Sequence, residues 1–233
     1  MTTGAQLTTF ITGLNGGATI DATLLDVLVD NAKTMLEEER PWMVLRKTDT
    51  SKSATTASTW QTAIDLSTIT DFSRLDTDAQ GVAVQLFDGN NLIQDYDLKP
   101  FQDRLRWKDV SNTCVYDANA KRLYLNGTVP FSGTLYINYV SSSAAISLSS
   151  DSAVWTVFPS RFLPVLGYYA IGIHKGAVDY DDINKLMLPS NGAALAALKN
   201  AMEKWDNEMQ LAAIQSNDPT DGHAQRSGAV SRG

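Results

Sequence analysis

Leu135-Tyr136-Ile137-Asn138-Tyr139-Val140 is the stretch on which the rest of the chain hangs. Leu135, Ile137 and Tyr139 alternate with Tyr136, Asn138 and Val140, the period of two that sends alternate side chains to opposite faces of a strand. Upstream, Cys114-Val115-Tyr116 and Arg122-Leu123-Tyr124-Leu125 flank Asp117-Ala118-Asn119-Ala120-Lys121, which predicts a hairpin. Farther back, Val82, Val84 and Leu86 alternate and run into Asp88-Gly89-Asn90-Asn91, a second turn, with Leu92-Ile93 beyond it. Residues from about 60 to 150 therefore predict a small antiparallel sheet or barrel. On its near side, residues 48–59 hold no large apolar side chain and read as an exposed loop or linker. On its far side, Ser141-Ser142-Ser143 to Asp151-Ser152 reads as a polar, flexible exit. Asn126-Gly127-Thr128 matches the N-glycosylation pattern and reads as a turn.

Helical spacing flanks this block on both sides. Leu7, Phe10, Ile11 and Leu14 share one face, stopped by Asn15-Gly16-Gly17. Asp21 is a good N-cap for a second helix, whose stripe is Leu24, Leu25, Leu28, Ala32, Met35 and Leu36. Glu37-Glu38-Glu39 on its last turn opposes the helix dipole and reads as a solvated face, and Arg40-Pro41 ends the helix. After the β block, Phe158 to about Ala177 is apolar on most sides, with Pro164 predicting either a kink or a later start. Gly172 and Gly176 permit close helix approach, and Asp179 to Met187 forms a short helix that Pro189-Ser190-Asn191-Gly192 breaks. Leu195, Leu198, Met202, Trp205 and Met209 then alternate spacings of three and four, either one core stripe of a bundle or a short coiled-coil seam. The fold class is α+β: a discontinuous helical bundle with an inserted antiparallel β domain and a flexible C-terminal tail. The predicted divisions are 1–47 for the N-terminal helices, 48–152 for the β insertion, 153–217 for the C-terminal helices and 218–233 for the tail.

Composition excludes several functions. At 43% apolar and 19% charged, the 233 residues can build a core. One cysteine, Cys114, allows no intramolecular disulfide, and with only His174 and His223 it cannot make the usual zinc set. Net charge −7 argues against phosphate-backbone binding. The N-terminus shows no basic leader ahead of an apolar run, and the longest apolar stretch, Phe162 to Ile173, is too short to span a bilayer. A soluble protein made in a reducing compartment is the expectation.

Catalytic motifs are absent too. There is no Gly-x-Ser-x-Gly elbow, His174 lies in an apolar helical segment, and Cys114 reads as a small buried apolar residue. Asp179-Tyr180-Asp181-Asp182 lacks the EF-hand spacing and reads as a helix cap. Gly167 and Gly172 are not followed by the Gly-Lys-Ser/Thr ending of a phosphate loop, and Arg104-Leu105-Arg106-Trp107-Lys108 reads as a half-buried strand or turn. No catalytic, cofactor or metal residue is assigned, and the expectation is a protein that is not an enzyme.

The order of parts resembles the head-to-tail adaptor (head-completion or connector) proteins of tailed bacteriophages. The resemblance rests on Asp30-Asn31-Ala32 leading to Arg40-Pro41-Trp42, Ile64-Asp65-Leu66-Ser67-Thr68-Ile69-Thr70-Asp71-Phe72, Arg122-Leu123-Tyr124-Leu125, Phe158-Pro159 to Gly176, and Leu195 through Ile214. It implies a structural virion protein at the head–tail interface, present in the host cytoplasm during assembly. It implies a homo-dodecamer between a portal protein and a downstream tail or nozzle protein, with DNA passing without sequence-specific binding, no membrane and no cofactor. An acidic channel wall would repel phosphate and let DNA slide. The tail, which cannot fold by itself, is then expected to dock on the portal through Asp218, Pro219, Asp221, His223, Arg226, Val230 and Arg232. Two other classes remain open. Trp60, Trp107, Tyr124 and Tyr136 in the strand block suit a carbohydrate-binding or tail-fibre-type module, and facing carboxylates would suit a hydrolase.

Overall fold

The computed structural model describes residues 3–77, 81–149 and 154–216. Helices α1 (Gly4–Leu14) and α2 (Ala22–Glu38) come first. Strands β1 (Arg46–Ala54), β2 (Ala63–Asp65), β3 (Phe72–Leu75), β4 (Val82–Asp88) and β5 (Asn91–Lys99) follow. One helical turn, α3 (Arg104–Trp107), leads to β6 (Thr113–Asp117), β7 (Arg122–Leu125) and β8 (Gly133–Ser141). Helices α4 (Leu163–His174), α5 (Tyr180–Leu186) and α6 (Pro189–Ser216) complete the order. The class is α+β, with helices on both sides of an eight-stranded, nearly closed sheet.

Strand β8, which carries the opening hexapeptide, is the hub of that sheet. One edge pairs with β1 along its length; the other pairs with β4 at residues 134–137 and with β3 at residues 139–141. The path runs β1-β8-β4-β5-β6-β7-β2. Both predicted hairpins are present, β4–β5 and β6–β7. The expectation of a wholly antiparallel sheet needs one correction, because β5 and β6 are parallel. The chain between them includes α3, and that crossover returns it to run in the same direction. Phe72 stacks on Tyr139 at 5.5 Å and meets Tyr116 at 5.7 Å, so it joins β8 to β6 across the curl. Leu66, Val84, Leu86, Tyr96, Leu123, Leu125, Leu135 and Ile137 fill the interior. The Asn126-Gly127 turn is confirmed: Gly127 has φ +67°, and a Cβ there would meet the Ser111 backbone at 2.7 Å.

Residues 48–59 are corrected from loop to strand over most of their length. Ladder bonds to β8 hold β1, and its side chains face water almost throughout, so no apolar residue is required. The bulge between Asp49 and Lys52, together with Lys47 and Lys52, makes this edge a poor template for stray pairing.

The helices pack around α4. Its start is delayed by a 3-10 turn at Ser160–Phe162, leaving Pro164 in the first turn, where a missing N–H costs nothing. Gly167 and Gly172 let neighbours close in: a Cβ would meet the Phe10 ring at 2.6 Å and Ile183 at 2.5 Å respectively. Gly176, by contrast, has φ +93° and serves the turn after α4, not helix packing. Asp21 and Asp179 cap α2 and α5 through side-chain oxygens, as their positions predict. Pro189 ends the α5 region by opening α6. Leu7, Leu28, Leu36, Trp42, Phe162 and Tyr169 are among the buried residues of this second core.

Candidate functional site

Helix α2 carries a second stripe opposite in character to its apolar one. Asp26, Asp30, Lys33 and Glu37 recur at intervals of four, three and four, so they share one face. That face holds the chain leaving β8. Leu148 N donates to Asp26 at 2.9 Å, and Ile146 N donates to Asp30 at 3.2 Å. Lys33 Nζ donates to the carbonyls of Ser143 and Ala144 at 3.0 and 3.1 Å and pairs with Asp30 at 3.0 Å. Glu37 accepts from Ser143 N at 3.1 Å, from Trp155 Nε1 at 3.0 Å and from the Ser143 hydroxyl. The segment read as a flexible exit is thus bound over residues 143–148, with Ile146 and Leu148 buried. The solvated-face reading of the glutamate run is overturned for Glu37, which is 4% exposed; it holds for Glu38. A carboxylate is tolerated there because three donors converge on it.

Where α2 ends, an open cleft of about 740 Å³ is lined by residues that include Glu39, Arg40, Asp181, Lys199 and Glu203. Lys199 pairs with Glu39 at 2.8 Å, donates to the Tyr169 hydroxyl at 3.3 Å and lies 3.6 Å from the Tyr180 ring centre. Tyr169 donates to Glu39; burial and that carboxylate push its phenol far above the ordinary range, so it stays protonated. Nearby, buried Asp206 accepts from Met43 N at 2.6 Å and from Gln210 at 3.0 Å, and it pairs with Arg40 at 3.0 Å. Glu39, Tyr169 and Lys199 satisfy one another, as do Arg40 and Asp206, and together they tie α2, α4 and α6.

On the β block, Arg104 lies over three rings, 5.5 Å from Trp60, 5.4 Å from Phe101 and 5.1 Å from Tyr124. Arg106 lies 5.5 Å from Trp107. The Arg104–Lys108 stretch is therefore a turn of helix presenting stacked cations, with Leu105 exposed, where a half-buried strand or turn was expected. At the join with the bundle, Asp71 accepts from Lys47 and Tyr139. Burial raises this carboxyl, but those hydrogen bonds together outweigh it and hold Asp71 below the usual carboxylate range.

Cys114 is fully buried, as its place in a strand predicts. Burial, with a smaller push from Asp97, raises its thiol to about 12. The native protein is expected to leave a thiol reagent unreacted at about pH 8, with full labelling only after denaturation. Rapid labelling of the folded chain would contradict this placement. His174 sits exposed at the end of α4. Among the described residues, no group of three or more His, Cys, Asp or Glu is arranged to hold a metal ion, and no helix is long and apolar enough to cross a membrane.

The α6 stripe is brought together in part. Leu195 and Met202 are buried in the bundle core, Leu198 and Trp205 pack against it half-buried, and Met209 is half-buried farther along. Trp205 meets Phe158 and Phe162, which favours the core-stripe reading. The docking residues Asp218, Pro219, Asp221, His223, Arg226, Val230 and Arg232 lie outside the described residues. The four aromatics do not form one platform: Trp60 and Tyr124 share Arg104, Trp107 lies under Arg106, and Tyr136 packs on Phe87.

Sequence pattern missed three exposed apolar side chains. Val178 is 77% exposed and Leu188 69%, at either end of α5; Leu105 is 66% exposed on α3. These are the three most exposed large apolar side chains among the described residues. Leu105 lies among charged residues, Val178 follows Ala177 and Leu188 ends the run Leu186-Met187-Leu188, so none sits in a periodic stripe that would mark it as exposed. No protein-family model matches the chain, and comparison with curated proteins finds no matching relative.

Proposed function

We propose that the chain is a ring-forming structural adaptor of a tailed-phage virion, joining the portal to tail components around the DNA channel. One observation carries the reading furthest: the three most exposed large apolar side chains among the described residues lie on separate parts of the molecule, Val178 and Leu188 beside the two ends of α5 in the bundle and Leu105 on α3 of the β block. A ring built from identical subunits uses heterologous contacts, which require two different faces on each copy. The order of helices, β block, helices and C-terminal segment supports the same reading through its resemblance to phage adaptors. Net charge −7 suits a channel wall that DNA must pass without sticking.

Electron microscopy of the purified full chain, alone and mixed with the portal protein of the same virus, tests this. Rings of about twelve copies, free or seated on the portal, are expected. Absence of both ring density and portal binding would sink the proposal. A chain truncated after Ser216 is expected to keep its fold and lose portal docking. Unchanged docking would remove the role given to the tail. The carbohydrate-binding alternative draws on Trp60 and Tyr124 around Arg104, and saturable binding on a glycan array by the full chain would favour it instead.

A further inference from the structure

The crossover from β5 to β6 is held without a buried side chain: from Pro100 to Asn112 every residue is half-buried or exposed. Its half-buried positions are Phe101, Arg104 and Trp107, three residues apart, and the four residues between them face water. The middle of the inward stripe is therefore a cation. Arg104 is also the only described cation that lies over more than one ring. Its rings come from three parts of the chain: Trp60 ahead of β2, Phe101 on the turn itself and Tyr124 on β7. Phe101 and Tyr124 stand 6.4 Å apart, and Tyr124 pairs with Ala63 of β2, the strand in which the sheet path ends. Asp103 and Asp109 bracket the turn, and Asp109 pairs with Lys108 at 3.7 Å; among the described residues no hydrogen bond or ion pair holds the Arg104 guanidinium.

We infer that Trp60, Phe101 and Tyr124 form a cation-binding cage whose resident ligand is Arg104, and that this ligand pins the α3 crossover over the β7–β2 end of the sheet. The walls fix the ligand class. Each ring offers the negative face of its quadrupole, and with no carboxylate in ion-pair distance the site suits a flat or quaternary organic cation, a guanidinium or a methylated ammonium. A neutral molecule of the same shape gains nothing from that field. Tethered by its own chain, Arg104 is present at an effective concentration of about millimolar or above, so a free cation meets a filled cage. The turn is a lid held by stacking: opening it uncovers little apolar surface of its own and offers the same three rings to an outside cation. The inference concerns a single chain and stands apart from the ring reading.

Emptying the cage and refilling it decides the matter. Full-length wild type, Arg104→Ala, Arg104→Gln and Arg104→Lys are titrated with methylguanidinium and with methylurea, its neutral isostere. Binding is read from the Trp60 indole signal by NMR, amide hydrogen exchange over residues 100–112 reads the pin, and circular-dichroism melts check the fold. Arg104→Ala is expected to bind methylguanidinium saturably and about tenfold or more tighter than methylurea, and wild type to bind neither. Exchange over 100–112 is expected to quicken about tenfold in Arg104→Ala and Arg104→Gln and by less in Arg104→Lys, which keeps the charge but loses the flat stack. Folded Arg104→Ala that binds both probes alike, or neither, overturns the cage. Wild type that binds methylguanidinium at Trp60 overturns the residency of Arg104. Equal exchange in Arg104→Lys and Arg104→Gln shows that charge is not the anchor and overturns the pin, a comparison that holds even where the alanine variant does not fold. None of these outcomes bears on the ring reading.

Discussion

Replacing Glu37 by alanine is expected to destabilise the protein by about 3 kcal/mol and to lower its melting temperature by about 6–12 °C. The magnitude follows from what the carboxylate holds. Three donors converge on it, the Ser143 amide and hydroxyl and the Trp155 indole, in a site only 4% exposed. Truncation leaves the buried Trp155 donor and the half-buried Ser143 donors without that acceptor, and hydrogen bonds to a charged group are worth more than neutral ones. Trp155 adds to the effect because its φ is +54°, a region a bulky side chain rarely occupies. Such a conformation costs on the order of 1–3 kcal/mol and persists only where its surroundings impose it. Here the Glu37 bond and stacking on Phe158 at 4.1 Å impose it. Glu37→Gln keeps an acceptor oxygen in the same place and is expected to lose about half as much. Thermal and chemical denaturation measure both variants. A Glu37→Ala chain melting with wild type would show that this carboxylate does not anchor Ser143 and Trp155.

Asp206→Ala is expected to cost about 3–5 kcal/mol, the range for breaking a buried ion pair from one side. Asp206 is fully buried yet accepts from the Met43 amide and from Gln210 while pairing with Arg40. It thereby fastens α6 to the chain just after α2. Its loss strands the Met43 N–H at the start of a 3-10 turn and leaves Arg40 with only Asn207 and the Trp42 ring. Asp206→Asn retains an acceptor for Met43 and is expected to cost roughly half as much. Hydrogen exchange separates the local effect from a general loss of stability: the Met43 amide should exchange faster in Asp206→Ala than neighbouring core amides do. Unchanged protection at Met43 would contradict the assigned bond.

Both residues show why the chain was only partly legible before its structure was known. Asp206 sits one position after Trp205 in the α6 stripe, and nothing in a single sequence separates a solvated aspartate there from one that caps a distant backbone amide. Glu37 had a usable signal in the spacing of Asp26, Asp30, Lys33 and Glu37, a polar stripe with the period of the apolar one. Its partners, however, lie more than a hundred residues away in a serine-rich stretch that looks featureless. Strand β1 was missed for a related reason. An edge strand held by backbone bonds alone needs no apolar alternation, so Arg46–Ala54 left no period to detect. Arg104 was recognised as part of a basic and aromatic cluster, but its ring partners include Trp60 and Tyr124, which only the fold brings to it.

Local chemistry determined the rest. Side-chain period placed β4, β6, β7 and β8, and turn residues set both hairpins. Asp21 and Asp179 marked helix starts, and Pro41 and Pro164 marked where helices must end or begin. These are short-range rules, satisfied within a few residues, so one sequence is enough to state them. The parallel β5–β6 pair, the curl of the sheet around Phe72, the burial of Glu37 and Asp206, and the exposure of Leu105, Val178 and Leu188 were decided by tertiary structure alone. Each depends on which distant segments meet, and the free energy of such a meeting belongs to the pair of surfaces and not to either stretch of chain.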